Sequence, residues 1–287
     1  VNQTASDAPF VESIFHPSDF SKESGRAFEH ALALSLHRNT SFTILHAGVE
    51  SRGEGWSEFP SVRATLERWA LLEKGSSRAA VFRELSMRVK KVSLRKKRPL
   101  SAVLEYLDEH PAELIVLATE GREGLPRWIR PSTAEAIARR SETMTLFVPD
   151  SSRGFVSSDD GKILLRRVLV PIDYHPDPSL AILRAARVSE MSESKPTEVV
   201  VLHVGEGTMP ERDLPDLPSC TWRVLQTTGD VVGEIVRVAE ELAVDLVVMA
   251  THGHEGILDA FRGSVTEQVL RRAPSPVLAV PPRRAVF

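Results

Sequence analysis

Only one cysteine, Cys220, occurs in the 287 residues. A single thiol excludes an internal disulfide framework and a thiolate-built zinc site, and it fits a reducing compartment. Charge of one sign is missing too: 36 Lys and Arg stand against 39 Asp and Glu, a formal net charge of -3. That balance, with 42% hydrophobic and 26% charged residues, excludes a disordered, fibrous or polybasic chain. No apolar run approaches the ~20 residues that span a bilayer. The polar start, Val1 to Asp7, resembles no signal peptide. The expectation is a soluble, cytoplasmic protein, long enough for two domains at roughly 100–200 residues each.

Several catalytic signatures are absent as well. Gly161-Lys162-Ile163 lacks both the first glycine and the hydroxyl of a P-loop. No G-x-G-x-x-G follows a first strand, and no G-x-S-x-G elbow occurs, which removes dinucleotide-type and serine-hydrolase sites.

What is present is a repeat. Glu113 to Thr119 lies over Asp245 to Thr251 at an offset of 245 − 113 = 132. The offset holds without a gap from Lys97/Gly229 to Pro149/Pro281, with about sixteen of some fifty-three positions identical. Phe15 to Asp19 matches Leu169 to Asp173, and Leu45-His46 matches Leu202-His203. The chain is duplicated, with a boundary in the Ser-, Asp- and Gly-rich stretch from Asp150 to Gly161.

Each half alternates short apolar runs with amphipathic stretches. In the second half the runs are Val168 to Ile172, Val199 to Leu202, Trp222 to Leu225, Leu246 to Met249 and Val277 to Val280. Five buried runs with helical crossovers predict a parallel, doubly wound α/β sheet in each half. Between strands two and three the first half has helical patterns over Ser61–Leu72 and Ala79–Leu85. The second half has Pro210, Pro215 and Pro218 there, which cannot hold a regular helix. That loop should leave sheet surface open, and the first half's extra helices are the candidate cover.

Chemistry concentrates in Ala250-Thr251-His252-Gly253 and Arg262-Gly263-Ser264-Val265-Thr266. The segment starts at a strand's carboxyl end and finishes at a helix N-terminus. Glycines let backbone N–H groups approach an anion, and the helix end adds free donors and a positive dipole. Spacing alone leaves a second reading open, a glycine-rich turn with Ser264 as an ordinary N-cap.

At this point the chain resembles the universal stress protein family, which carries G-x2-G-x9-G-[S/T] after strand four as an ATP-binding motif. The resemblance covers both halves, includes the strand-one aspartates Asp19 and Asp173, and marks a tandem member of the family. It implies two five-stranded adenine nucleotide alpha hydrolase-like domains, 8–150 and 162–283, with strand order 3-2-1-4-5. It further implies that the last strands, Thr145 to Val148 and Val277 to Val280, pair inside one chain as a pseudo-dimer, with room for a further homodimer. The implied ligand is ATP, or ADP or AMP, with Mg2+ as an accompanying ion. The implied contacts are Asp173, Val204, Ala250, Gly253, Gly263, Ser264, Val265 and Thr266. Ala250 replaces the motif's first glycine. In the first half Ala118 does the same, and Pro131 stands where the third glycine belongs, removing an N–H donor. The expectation is therefore one nucleotide per chain, in the C-terminal half, serving regulation in stress. A nucleotide-free scaffold and a slow ATPase, or autophosphorylation at Ser264, stay open as alternatives, and no catalytic residue is assigned.

Two further features have plainer readings. His16, His46, His175, His203, His252 and His254 lie near strand ends, where imidazoles could bind zinc or copper, yet no acidic or Cys partner sits at ligand spacing. No metal site is assigned. Arg88, Lys90, Lys91, Arg95, Lys96, Lys97 and Arg98 could meet nucleic acid. Without interleaved aromatics, charge protection of an edge strand is the better account.

Overall fold

Leu114–Thr119 and Leu246–Ala250 are apolar without alternation, which is what a parallel strand covered on both faces requires. The computed structural model describes residues 10–19, 24–36, 40–48, 61–95, 98–119, 137–138, 140–150, 152–251 and 264–282. The first half runs β1 (Ser13–Pro17), α1 (Ser24–Leu34), β2 (Ser41–Ala47), α2 (Val62–Arg68), α3 (Arg78–Leu85), β3 (Arg88–Leu94), α4 (Pro99–Glu109), β4 (Leu114–Thr119) and β5 (Met144–Pro149). The second runs β6 (Arg167–Ile172), α5 (Ser179–Ser189), β7 (Thr197–Val204), β8 (Cys220–Thr227), α6 (Val231–Glu241), β9 (Leu246–Ala250), α7 (Val265–Arg272) and β10 (Val277–Val280).

The ten strands of the described residues belong to one sheet, in the order β3-β2-β1-β4-β5-β10-β9-β6-β7-β8. Each half is parallel and keeps the expected 3-2-1-4-5 order. The halves join antiparallel, with Val277, Leu278 and Ala279 opposite Phe147, Leu146 and Thr145. The expected internal pairing of the last strands is therefore present, and it merges two half-sheets into one.

Strand alternation sends successive side chains to opposite faces. On one face a single apolar cluster runs through both halves, from Phe28 and Ala31 of α1 to Ala181 and Ala185 of α5. The other face holds two clusters, one under α4 around Phe15 and Leu117, the other under α6 and α7 around Leu169 and Val247. Leu270 of α7 packs against both.

The edge assignment of the basic strand holds: β3 is terminal in the sheet. Arg88 lies over the Phe82 ring and Lys90 over Tyr106, at 5.9 and 5.3 Å from the centroids. At the opposite end, 205–219 has no helix. The expectation that α2 and α3 cover this region needs correction. Met209, Leu214 and Leu217 of the loop itself pack onto the core, and Trp222 donates its Nε1–H to the Pro215 carbonyl at 2.9 Å.

Instead, α2 meets the connection between the halves. Residues 152–165 form a strap whose Phe155, Val156, Ile163 and Leu165 are buried, closed by a bridge between Val156 and Ile163. Arg68 and Trp69 both donate to the Ser158 carbonyl, at 2.6 and 3.0 Å. From α1, Arg26 donates to the Arg153 carbonyl and His30 Nε2 accepts the Phe155 N–H.

Candidate functional site

Strand order reverses between β6 and β9: the chain leaves β6 towards β7 on one side and leaves β9 towards β10 on the other. Diverging connections open a crevice outside the strands' carboxyl ends, where doubly wound sheets take ligands. A cavity of about 370 Å³ lies there, within the size range of small-molecule sites.

Six of the eight residues singled out by sequence line this cavity: Asp173, Val204, Ala250, Ser264, Val265 and Thr266. Asp173 follows the last residue of β6, Val204 and Ala250 end β7 and β9, and the other three open α7. Gly253 and Gly263 lie outside the described residues, as do His252, His254, Gly121 and Pro131. Sequence reasoning missed the apolar wall of Leu202, Val231, Ile235 and Met249 and the rim residues His175, Pro176 and Pro178. Position at the carboxyl ends of strands and the start of α6 is the signal that could have found them.

Ser264 is the N-cap of α7, with its hydroxyl oxygen accepting the Glu267 N–H at 3.1 Å. Capping uses an oxygen lone pair and leaves the O–H able to donate. The two sequence readings of Ser264, cap and ligand donor, are thus compatible in one side chain. Across the cavity, Asp173 is exposed and its Oδ1 accepts the Tyr174 N–H at 2.8 Å. The Tyr174 hydroxyl donates to the Thr208 carbonyl at 2.5 Å, which fastens the start of the proline-rich loop beside the site.

Three of the strand-end histidines, His16, His46 and His203, bond backbone. His203 Nδ1 is 3.2 Å from the Ile172 carbonyl oxygen, His46 Nδ1 is 2.9 Å from that of Ser18, and His16 Nδ1 is 2.9 Å from that of Val116. Burial pushes the pKa of His16 down to about 4, against the opposing pull of its bond to Val116. It is therefore neutral at physiological pH. Among the described residues, no group of three His, Cys, Asp or Glu side chains is placed to hold a metal ion, and no helix is long and apolar enough to cross a membrane.

The sequence profile of the universal stress protein family matches residues 12–149 and 214–281. A universal stress protein of Methanocaldococcus jannaschii is 43% identical over 47 residues, 16% of this chain and 29% of the relative. Another, of Methanothermobacter thermautotrophicus, is 42% identical over 60 residues, 21% of this chain and 40% of the relative. The matches thus span less than half the length of these curated relatives. The crystal structure of a universal stress protein from Archaeoglobus fulgidus covers 96% of this chain and 97% of its own, with a TM-score of 0.59 at 15% identity. That likeness is one of fold. Since the family profile matches well over half of the chain, with segments in both halves, the chain belongs to the universal stress protein family.

Proposed function

We propose that the chain is a stress-response regulator that binds one adenine nucleotide, ATP or its ADP or AMP forms, in the cavity of domain 162–283. Domain 8–150 takes none. The observation that carries this reading is a single cavity bordered both by Asp173 and by the Ser264-capped start of α7. A nucleotide needs three unlike surroundings at once. An adenine face suits apolar walls such as Leu202 and Met249, and ribose hydroxyls can donate to the Asp173 carboxylate. Phosphates suit a helix N-terminus, where free N–H groups and the dipole favour negative charge. Mg2+, where it accompanies the nucleotide, would ride on the phosphates with most of its waters kept.

The asymmetry between domains rests on sequence. The second half offers Gly263-Ser264 and the first Pro131-Ser132, so the first is one N–H donor short. Calorimetric titration with ATP tests both parts. One equivalent per chain is expected, and Asp173→Ala should weaken it by about one to two decades, the loss of hydrogen bonds to a charged group. Two equivalents would overturn the asymmetry. No binding would overturn the nucleotide reading in favour of a scaffold acting through its surface.

A further inference from the structure

We propose that His203 is a positioning residue for the cavity: its Nδ1–H, donated to the Ile172 carbonyl, locks the turn that presents Asp173. The proposal rests on the nucleotide reading for what Asp173 holds, while the lock itself stands on geometry alone.

The ladder between β6 and β7 ends at the pair Ile172–His203. Pro171, just before, has no N–H, so β6 is short of a backbone donor near its carboxyl end. The imidazole supplies a bond at that point, 3.2 Å from Nδ1 to the Ile172 oxygen. A carbonyl can only accept, so Nδ1 carries the proton. The ring is 4% exposed and is held from two sides. The Tyr174 ring meets it edge-on at 6.1 Å between centroids, and Gly205 closes against its far nitrogen. A Cβ on Gly205 would stand 2.8 Å from Nε2, so a side chain there would push the ring off its carbonyl.

The same device occurs in the first half. There β1 also reaches its end through a proline, Pro17, and the ladder to β2 stops at Pro17–Leu45. His46 Nδ1 then bonds the Ser18 carbonyl at 2.9 Å, and a Cβ on Gly48 would stand 3.0 Å from its Nε2. In both halves the carbonyl held belongs to the residue immediately before the strand-one aspartate, Asp19 or Asp173. The duplicated chain has kept histidine, glycine two residues later and the bonded carbonyl together. Core filling would need only an apolar side chain at this place. What the donor adds is a fixed direction for the next residue.

The test has two arms on the full chain. Nitrogen-15 NMR of His203 at neutral pH should report a proton on Nδ1, and amide exchange at Tyr174 should quicken about tenfold in His203→Leu, the loss of one ordinary hydrogen bond. His203→Asn, whose side-chain N–H₂ can reach the same carbonyl, should restore it. In the second arm, ATP titration of His203→Leu should show about tenfold weaker binding in the wild-type background and no further loss in Asp173→Ala, the coupling expected when one residue acts through another. A proton on Nε2 alone, failure of asparagine to rescue, or an equal loss in the Asp173→Ala background would overturn the proposal. If wild type binds no ATP, the nucleotide reading fails by itself, and tautomer and exchange still decide the lock.

Discussion

Leu278 sits directly opposite Leu146 in the antiparallel register that joins β10 to β5, the two residues 2% and 1% exposed. Both belong to the cluster shared by the two halves, so the joint is at once a ladder and a core. Leu278→Lys would bury an ammonium with no partner in an apolar layer and should cost about 4 kcal/mol. Denaturant unfolding should show that loss, and small-angle scattering should show separation of the halves or aggregation. An unchanged midpoint and an unchanged shape would mean that the joint contributes little.

Much of this was legible beforehand because it is written locally. Leu246 to Met249 and Val277 to Val280 read as strands from uninterrupted apolar runs, and three prolines removed a helix from 205–219. The pairing of Thr145 to Val148 with Val277 to Val280 follows from family resemblance, since no local pattern specifies a partner strand, and the register that sets Leu278 against Leu146 is seen only in the structure. Most of the strap lies in the stretch from Asp150 to Gly161 that the sequence marks only as a boundary between the halves. Its composition is Ser-, Asp- and Gly-rich, and what orders it are distant groups, His30 and Trp69. At the site, Ala250 and Ser264 stand out by motif, and Asp173 and Val204 through the family resemblance. Val231, Ile235 and Met249 do not, because a cavity wall and a core face show the same periodicity.

Asp245 and Glu113 give the repeat an energetic comparison. Asp245 Oδ2 accepts the backbone N–H of Arg166 and Arg167 at 2.8 and 3.0 Å, and Oδ1 takes Arg153 at 2.5 Å. The counterpart Glu113 accepts one backbone N–H, from Glu12 at 2.7 Å. Asp245→Ala strands two donors around a side chain 2% exposed and should cost about 2–4 kcal/mol, whereas Glu113→Ala should cost about 1 kcal/mol. Equal costs in chemical denaturation would show that burial and partner number do not set the difference.

His30 makes the strap sensitive to acid. Nδ1 donates to the Arg26 carbonyl at 2.8 Å, and Nε2 accepts the Phe155 N–H at 3.0 Å, a role it loses when protonated. Burial pushes the pKa of His30 from 6.5 down to about 4; the bond to Arg26 opposes the shift and the Arg26 charge adds to it. Between pH 6.5 and 4 the unfolded chain therefore binds more protons than the folded one. Stability should be full above the upper limit and fall as pH drops through the window, by about 3 kcal/mol for this residue. His16 contributes in the same direction. His30→Gln, which can keep an acceptor without titrating, should flatten the profile by about half, and an unaltered slope in urea melts across this range would contradict the assignment.

Gly161, like Gly154, where a Cβ would stand 2.5 Å from the His30 ring, is a point where the strap has no room for another residue. Its φ is +71°, in the left-handed region, and a Cβ would stand 2.4 Å from the Trp69 ring. Trp69 cannot swing aside cheaply, since it is 3% exposed and its Nε1–H is held by the Ser158 carbonyl. Gly161→Ala should therefore destabilise by about 1–3 kcal/mol, combining overpacking with an unfavourable backbone conformation. The two causes separate in a double mutant. With Trp69→Leu in place the clash is relieved and only the backbone cost, about 1 kcal/mol, should remain. Limited proteolysis should then cut the strap sooner in Gly161→Ala than in wild type. Strict additivity of the two substitutions would show that the glycine is there for its backbone alone and that the indole contact is incidental.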